Sequence, residues 1–147
     1  MNLPLTSEEF VAIYSKVPRL TVEVIVVTDQ GIVLTKRSIA PYEGSWHIPG
    51  GTVYMNESLE EAVQRVALDE LGVTVAIDKL VGHIIYPSIK DQKEGGIGWP
   101  IGAAFLTHIT DGDLRGSRQG EEVKTFSALP DDMIIEQKNF IIENAIL

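Results

Sequence analysis

The sequence predicts an α/β fold, in which the strands of a mixed sheet enclose one central helix and further helices lie near both ends. A β-branched, nearly continuous apolar run from Leu20 to Thr28 is typical of a buried strand. Ser58 to Leu71 has the periodicity and the end signals of an amphipathic helix. The 147 residues are 44% hydrophobic and 22% charged, and no repeat or linker divides them. We therefore expect a single domain over residues 1–147.

The other elements follow from local signals along the chain. Thr6 and Glu9 have the spacing of a capping box, which predicts a short N-terminal helix carrying Phe10. Ser58 and Glu61 repeat this spacing at the central helix, and Gly72 stands where that helix ends. The remaining predicted strands are at 32–37, about 77–86, about 100–108 and 123–127. A last helix is predicted at about 131–147.

Composition excludes several classes of protein. Twelve basic and 21 acidic residues give a net charge of −9, which opposes binding to nucleic acid and to anionic lipid. There is no cysteine, so disulfides, zinc–thiolate sites and cysteine nucleophiles are ruled out. The first residues lack a signal-peptide pattern, and the longest purely aliphatic run, 24–27, is far too short to cross a bilayer. We expect a cytoplasmic protein with no membrane segment.

Glu70 occupies an unusual place on the central helix. At about 100° per residue, Leu59 and Val63 lie within about 20° of it, so a carboxylate is centred on the apolar stripe. Asp69 and Glu70 also share the last turn, where the helix dipole disfavours each anion by about 0.3–1 kcal/mol. Either Arg65 pairs with Asp69 and the stripe reaches the surface at Glu70, or Glu70 binds a divalent metal ion.

The residues around this helix match a known pattern. Six of the nine specified positions of G-x5-E-x7-R-E-U-x-E-E-x-G-U, the Nudix box, are present over about 51–73: Gly51, Glu57, Arg65, Glu70, Gly72 and Val73. Trp46 and Pro49 also resemble the usual approach to the box. The chain therefore resembles the Nudix hydrolases.

This resemblance implies an α/β/α sandwich around a mixed sheet and the cleavage of a nucleoside diphosphate linked to another moiety, with Mg²⁺ or Mn²⁺. It implies that Glu70 and the Gly50 carbonyl bind the metal ion, with Asp69 as a further candidate. Arg65 would orient carboxylates of the helix, and Glu57 would brace the turn that leads into it. Alternatively, Glu57 is an ordinary carboxylate near the helix start.

Three box positions differ from the family pattern. Val66 replaces a glutamate, Asp69 shortens another, and Ala67 replaces a larger aliphatic residue. The loss at Val66 favours a single, weaker metal site, because it removes a carboxylate one turn before Glu70.

A similar alteration characterises the GDP-mannose mannosyl hydrolase branch, which the chain resembles over most of its length. That resemblance implies that Gln119 is an additional metal ligand. Gly120 stands where the branch has a catalytic histidine, and Thr52 stands where it has an arginine after the glycine pair.

Other candidates concern the substrate and the base. Arg37, with Lys36 beside it, would neutralise the diphosphate, or else it is a solvated cation at a strand end. Trp99, in the long loop 88–99, would stack on a base. Glu121 and Glu122 are adjacent candidates for the general base, or else solvated loop charges.

Three functional hypotheses remain open at this stage. The first is a metal-dependent hydrolase of a small nucleotide such as a nucleotide sugar. The second is a Nudix-fold module that binds nucleotide with little or no turnover, consistent with Val66, Gly120 and Thr52. The third is a purely structural subunit of a dimer. Under any of the three, the resemblance implies that the N-terminal helix packs on a second copy of the chain in a homodimer.

Overall fold

The computed structural model describes residues 5–92, 98–116 and 121–147. Within these ranges the helices are α1 (Ser7–Tyr14), α2 (Leu59–Val66) and α3 (Ile135–Glu143), with a π-helical turn at Ala67–Leu71 and a 3₁₀ helix at Pro87–Asp91. The strands are β1 (Pro18–Thr28), β2 (Gly31–Lys36), β3 (Trp46–His47), β4 (Gly50–Thr52), β5 (Thr74–Ile85), β6 (Trp99–Asp111) and β7 (Val123–Phe126). No helix in the described ranges is long and apolar enough to cross a membrane.

The strands form one mixed sheet, as predicted. Its order is β3-β2-β1-β6-β5, with β4 paired to β1 and β7 paired to β2. β1 and β6 are parallel, and the other described strand pairs are antiparallel. β1 pairs with β4 at Thr21–Glu23 and with β2 only at Val27–Thr28. β4 and β2 therefore diverge beside β1, and this divergence positions the site described below.

Helices cover both faces of the sheet, which confirms the predicted α/β/α sandwich. On one face, Val22, Val24 and Val26 belong to a fully buried cluster that includes Val63 of α2. On the other face, Ile25 packs in a second cluster with residues of α3. Side chains alternate along a strand, so β1 contributes to both cores.

The central helix differs in one respect from the continuous helix that the sequence predicts. Ser58 forms the predicted capping box with Glu61, but the α-helix ends at Val66 and a wider π-helical turn follows. Gly72, with a φ of 72°, then closes the segment in a left-handed conformation. A spacing of 100° per residue therefore applies only as far as Val66, and the position of Glu70 depends on the wider turn.

Candidate functional site

A cavity of about 550 Å³ opens where β4 and β2 diverge. α1, the segment 39–42 and α3 also contribute to its wall. Among the described residues, the charged ones that line it are two arginines and three glutamates: Arg19, Arg37, Glu23, Glu70 and Glu121. Such a cavity can hold a ligand that carries both positive and negative groups.

Glu70 reaches this cavity from the π-helical turn. Its carboxylate accepts a hydrogen bond from the backbone N–H of Gly50. Burial, reinforced by the negative charge of Glu121, raises the pKa of Glu70 to about 8. Its Oε2 atom is buried and has no hydrogen-bond partner among the residues that the structure describes. A buried, unpartnered carboxylate oxygen is costly unless a cation or a proton occupies its free side.

The backbone of β4 presents Gly50 toward the same place. The Val24 N–H donates to Pro49 O at 2.8 Å and the Val53 N–H donates to Leu20 O at 3.1 Å, so the odd-numbered residues of this strand face β1. Since bonded and non-bonded residues alternate in an antiparallel pair, Gly50 directs both its N–H and its C=O away from β1. The carbonyl of Gly50 thus lies at the edge at which Glu70 binds.

These oxygens fit a hard divalent cation. Mg²⁺ and Mn²⁺ take carboxylate and carbonyl oxygens, and Mg²⁺ commonly keeps several waters beside one or two protein carboxylates. No cluster of three or more potential metal-ligating side chains occurs in the part of the chain that is described. The donor set therefore suits one ion with few protein ligands, in line with the loss of the carboxylate at Val66.

Arg65 organises the segment between β4 and α2. Its Nε donates to Glu57 Oε2 at 2.7 Å, and its Nη2 donates to Glu57 Oε1 at 3.0 Å and to the Thr52 carbonyl at 2.8 Å. The guanidinium also lies over the Tyr54 ring, 3.8 Å from its centroid. The Glu57 ion pair raises the pKa of Arg65. Arg65 contacts Glu57 rather than Asp69, and neither Arg65 nor Asp69 lines the cavity.

Arg37 lines the cavity at the end of β2. Its guanidinium donates to the carbonyls of Ala40 and Pro41, which fold the following segment around it. Burial lowers the pKa of Arg37, and the nearby carboxylates of Glu121 and Glu70 oppose that shift. This cation therefore lies close to the proposed metal ligand.

The other sequence candidates separate into two groups. Glu121 is half-buried, lines the cavity, and accepts a hydrogen bond from Ser38 Oγ at 3.4 Å. Glu122 is exposed and does not line the cavity. Lys36 lies near Trp46, with its ammonium 5.9 Å from the ring centroid. Lys36 is likewise absent from the cavity wall.

Neither of two further candidates, Trp99 and Gln119, is among the described residues that line the cavity. Trp99 is the first residue of β6, opposite Pro18, rather than part of a loop over the cavity. Its pairing with β1 holds it in the sheet. Gln119 and its neighbour Gly120 lie outside the described residues.

Sequence reasoning missed a buried polar network on the cavity wall. The Tyr86 hydroxyl donates to Glu23 Oε1 at 2.7 Å, and Gln137 Nε2 donates to the Tyr86 oxygen at 2.8 Å. The Ile48 N–H donates to Gln137 Oε1 at 2.7 Å. Burial raises the pKa of Glu23 to about 7. The available signal was a single glutamate within the nearly continuous apolar run 20–28.

The position of Glu23 and the backbone of β1 explain why residue 50 is a glycine. A Cβ atom on Gly50 would lie 2.7 Å from the Val22 carbonyl and 3.0 Å from Glu23 Oε2. The backbone approaches too closely there for any other side chain.

The fold and the site define an α/β/α sandwich protein whose cavity combines arginines with a carboxylate, one oxygen of which has no hydrogen-bond partner in the described part of the chain. A family model described as NUDIX domain matches residues 17–140. The chain therefore belongs to the Nudix domain family, the family of the Nudix hydrolases.

Individual relatives agree with this assignment. The chain is 32% identical over 123 residues to the low-salt glycan biosynthesis protein Agl8 of Haloferax volcanii, covering 83% of this chain and 79% of that one. It is 30% identical over 109 residues to an ADP-ribose pyrophosphatase of Methanocaldococcus jannaschii, covering 74% of this chain and 62% of that one. A MutT NUDIX hydrolase from Burkholderia pseudomallei has a similar crystal structure, with a TM-score of 0.71, 25% identity, and coverage of 85% and 96%.

Proposed function

We propose that this protein hydrolyses a nucleoside diphosphate linked to another moiety, and that the natural substrate is a nucleotide sugar. The observation that carries the proposal is the buried Oε2 of Glu70, which has no hydrogen-bond partner within residues 5–92, 98–116 and 121–147 and lies in a cavity that Arg37 also lines. We also propose that residues 1–147 form one Nudix domain.

Mg²⁺ or Mn²⁺ would be held by the Glu70 carboxylate and the Gly50 carbonyl, with Gln119 as a further candidate. Bound there, the ion would offset the charge of the diphosphate and polarise water or the leaving group. Asp69 remains a weaker candidate because its side chain does not line the cavity.

The residues of the chain divide the remaining work. Arg37 uses two donors on backbone carbonyls and has further guanidinium N–H groups with which to bind phosphate. Glu121 is the preferred general base, since it lines the cavity near Glu70, whereas Glu122 is exposed. Arg65 acts through Glu57 and the Thr52 carbonyl by holding the segment between β4 and α2.

Two likenesses support a nucleotide sugar. The altered box resembles that of the GDP-mannose mannosyl hydrolase branch, and one relative is named for glycan biosynthesis. The relative named as an ADP-ribose pyrophosphatase supports the broader class of diphosphate-linked substrates.

One observation favours a second candidate, a nucleotide-binding module with little turnover. Val66 is buried, and its Cγ2 lies 3.2 Å from where a Cβ on Gly51 would stand. This box position therefore packs in the apolar core and supplies no carboxylate.

Turnover separates the two candidates. The purified full chain is incubated with Mg²⁺ or Mn²⁺ and a panel of nucleotide sugars, ADP-ribose and nucleoside triphosphates. We expect hydrolysis of at least one diphosphate-linked compound, and a loss of at least about 100-fold in Glu70→Gln. Glu60→Gln, an exposed carboxylate in the first turn of α2, is the matched control and should retain full activity.

The products identify the bond that breaks. Attack at phosphorus releases a nucleoside monophosphate, whereas attack at the sugar carbon releases a nucleoside diphosphate and free sugar. Binding without turnover across the panel would favour the module. The absence of both binding and turnover would contradict the proposed function.

We also propose that a second copy of the chain covers α1. Val11 and Ile13 of this helix are 44% and 41% exposed, and no residue of the helix is buried. Light scattering should give twice the mass of the chain, and Ile13→Glu should lower that mass toward the monomer. A monomeric wild-type protein would contradict this.

A further inference from the structure

Two buried side-chain atoms lack a hydrogen-bond partner in the described part of the chain. One is the acceptor Glu70 Oε2, and the other is the donor Nε of Arg19. Both residues line the same cavity. An unpartnered acceptor is complementary to a cation, and an unpartnered donor is complementary to an anion.

Arg19 is held in place by contacts that do not neutralise it. From β1, its Nη1 donates to Thr52 Oγ1 at 2.8 Å, and its Cζ lies 5.3 Å from the centroid of the Phe10 ring. The ion pairs found among residues 5–92, 98–116 and 121–147 do not include Arg19, so no carboxylate oxygen in those ranges lies within 4.0 Å of its nitrogens.

The cost of this arrangement is electrostatic. Burial lowers the pKa of Arg19, and the more distant charge of Glu23 only partly opposes that shift. A guanidinium in a partly dry site without a close counter-ion is destabilising until an anion binds. A bound anion would remove that cost.

The two unpartnered atoms are related through β4. The Gly50 N–H binds Glu70, and the Thr52 hydroxyl binds Arg19. Residues two apart in a strand are separated by about 7 Å. A metal ion at Glu70 and an anion at Arg19 would thus be neighbours along one strand. In a metal-bound diphosphate, the ion and the phosphoryl groups are likewise neighbours.

We propose that Arg19 is a second phosphoryl-binding residue, which together with Arg37 selects substrates carrying two linked phosphoryl groups over those carrying one. This inference rests on the proposed function and assigns it a residue outside the Nudix box. Thr52 positions the guanidinium, and Phe10 covers one face of it.

The test compares the binding of two probes, methylenediphosphonate and inorganic phosphate, each with Mg²⁺, by titration calorimetry. Arg19→Met removes the donors and keeps an apolar stem against Phe10. We expect its Kd for methylenediphosphonate to rise about 10- to 100-fold, because charge-assisted hydrogen bonds are lost. Its affinity for Mn²⁺ alone should not change. Arg115→Gln, an exposed arginine outside the cavity wall, is the control and should bind like the wild type.

A second variant keeps the result interpretable if Arg19→Met folds poorly. Arg19→Lys retains the charge but not the planar set of donors, so an intermediate loss is expected. Arg19→Met combined with Thr52→Arg restores a guanidinium from the neighbouring strand. Tighter binding of methylenediphosphonate than in Arg19→Met alone would support an anion site at this place.

The outcomes separate the two proposals. Wild-type affinity in Arg19→Met and Arg19→Lys, with wild-type protein that binds the diphosphonate, overturns the role of Arg19 and leaves the proposed function intact. Wild-type protein that binds neither probe and hydrolyses no compound of the panel overturns both.

Discussion

The two sides of β1 differ in what they bury. Val22, Val24 and Val26 face α2 and are fully excluded from solvent in an apolar cluster. On the opposite side, Glu23 places a carboxylate against Tyr86 and the wall of the cavity. Because strand side chains alternate, one residue of offset separates a dry core from a polar site.

This difference shows how a small domain provides stability and a binding site from one strand. The valine side gains free energy by excluding water, at about 25 cal/mol per Å² of apolar surface. The glutamate side tolerates a buried carboxyl group because Tyr86 donates to it and Gln137 completes the network. Variants that exchange or perturb the two environments test this reading.

The largest effect should come from moving the carboxylate across the strand. Val24→Glu places an ionisable group in the cluster at α2, where no polar partner is available in the described core, and should lower the free energy of unfolding by about 4 kcal/mol or more. Glu23→Val should cost less, about 1–3 kcal/mol, because it removes a carboxyl group that is costly to bury but leaves the Tyr86 O–H without its acceptor. Urea denaturation measures both, and equal losses would contradict the comparison.

The next effect concerns pH. His47 lines the cavity wall, and its ring bonds Thr35 Oγ1 at 3.0 Å and the Ile48 carbonyl at 2.9 Å. Burial lowers the pKa of His47 from 6.5 to about 4. The native state therefore binds fewer protons than the unfolded state, so this contribution to stability is complete above pH 6.5 and is lost as the pH falls toward 4.

The loss attributable to this histidine should reach at most about 3 kcal/mol. Denaturation of the wild type and of His47→Gln between pH 7 and 4 measures it, and the variant should lose less stability over that interval. Parallel curves for the two proteins would show that His47 does not titrate as its burial implies.

A smaller effect is expected at Arg65, which holds the segment between β4 and α2. Arg65→Lys loses the paired hydrogen bonds to Glu57 and the planar stack on Tyr54. We expect a 10- to 100-fold fall in kcat/KM, about the range for residues that position a metal ligand. Steady-state kinetics on the substrate found in the panel gives the value. Unchanged kinetics would remove Arg65 from the account of the site.

The smallest effect distinguishes two neighbours. Glu121→Gln should reduce kcat at least about 10-fold, because a general base commonly contributes more than that. Glu122→Gln should leave kcat within about two-fold, since its side chain is exposed outside the cavity wall. The same assay measures both, and the reverse order would assign the base to Glu122.

Local patterns predicted most of the fold. The two capping boxes, at Thr6 and Ser58, and the apolar strand 20–28 all occur in the structure, because they depend on nearby residues. The π-helical turn after Val66 was not predicted, since a helical wheel assumes one pitch throughout.

The candidate site was less accessible to sequence reasoning. The family resemblance singled out Glu70 and Gly50, which lie together in the structure. Glu23 and Arg19 were missed because their roles depend on partners far along the chain, such as Tyr86 and Thr52. Such long-range contacts leave no local pattern.

The proposed function requires that Glu70 bind a divalent cation in this cavity. The most direct measurement is the titration of Mn²⁺ into wild-type protein and Glu70→Gln, followed by electron paramagnetic resonance of the free ion. The wild type should show one saturable site, and the variant should bind at least about 100-fold more weakly. Equal affinity of the two proteins for Mn²⁺ would contradict this role of Glu70.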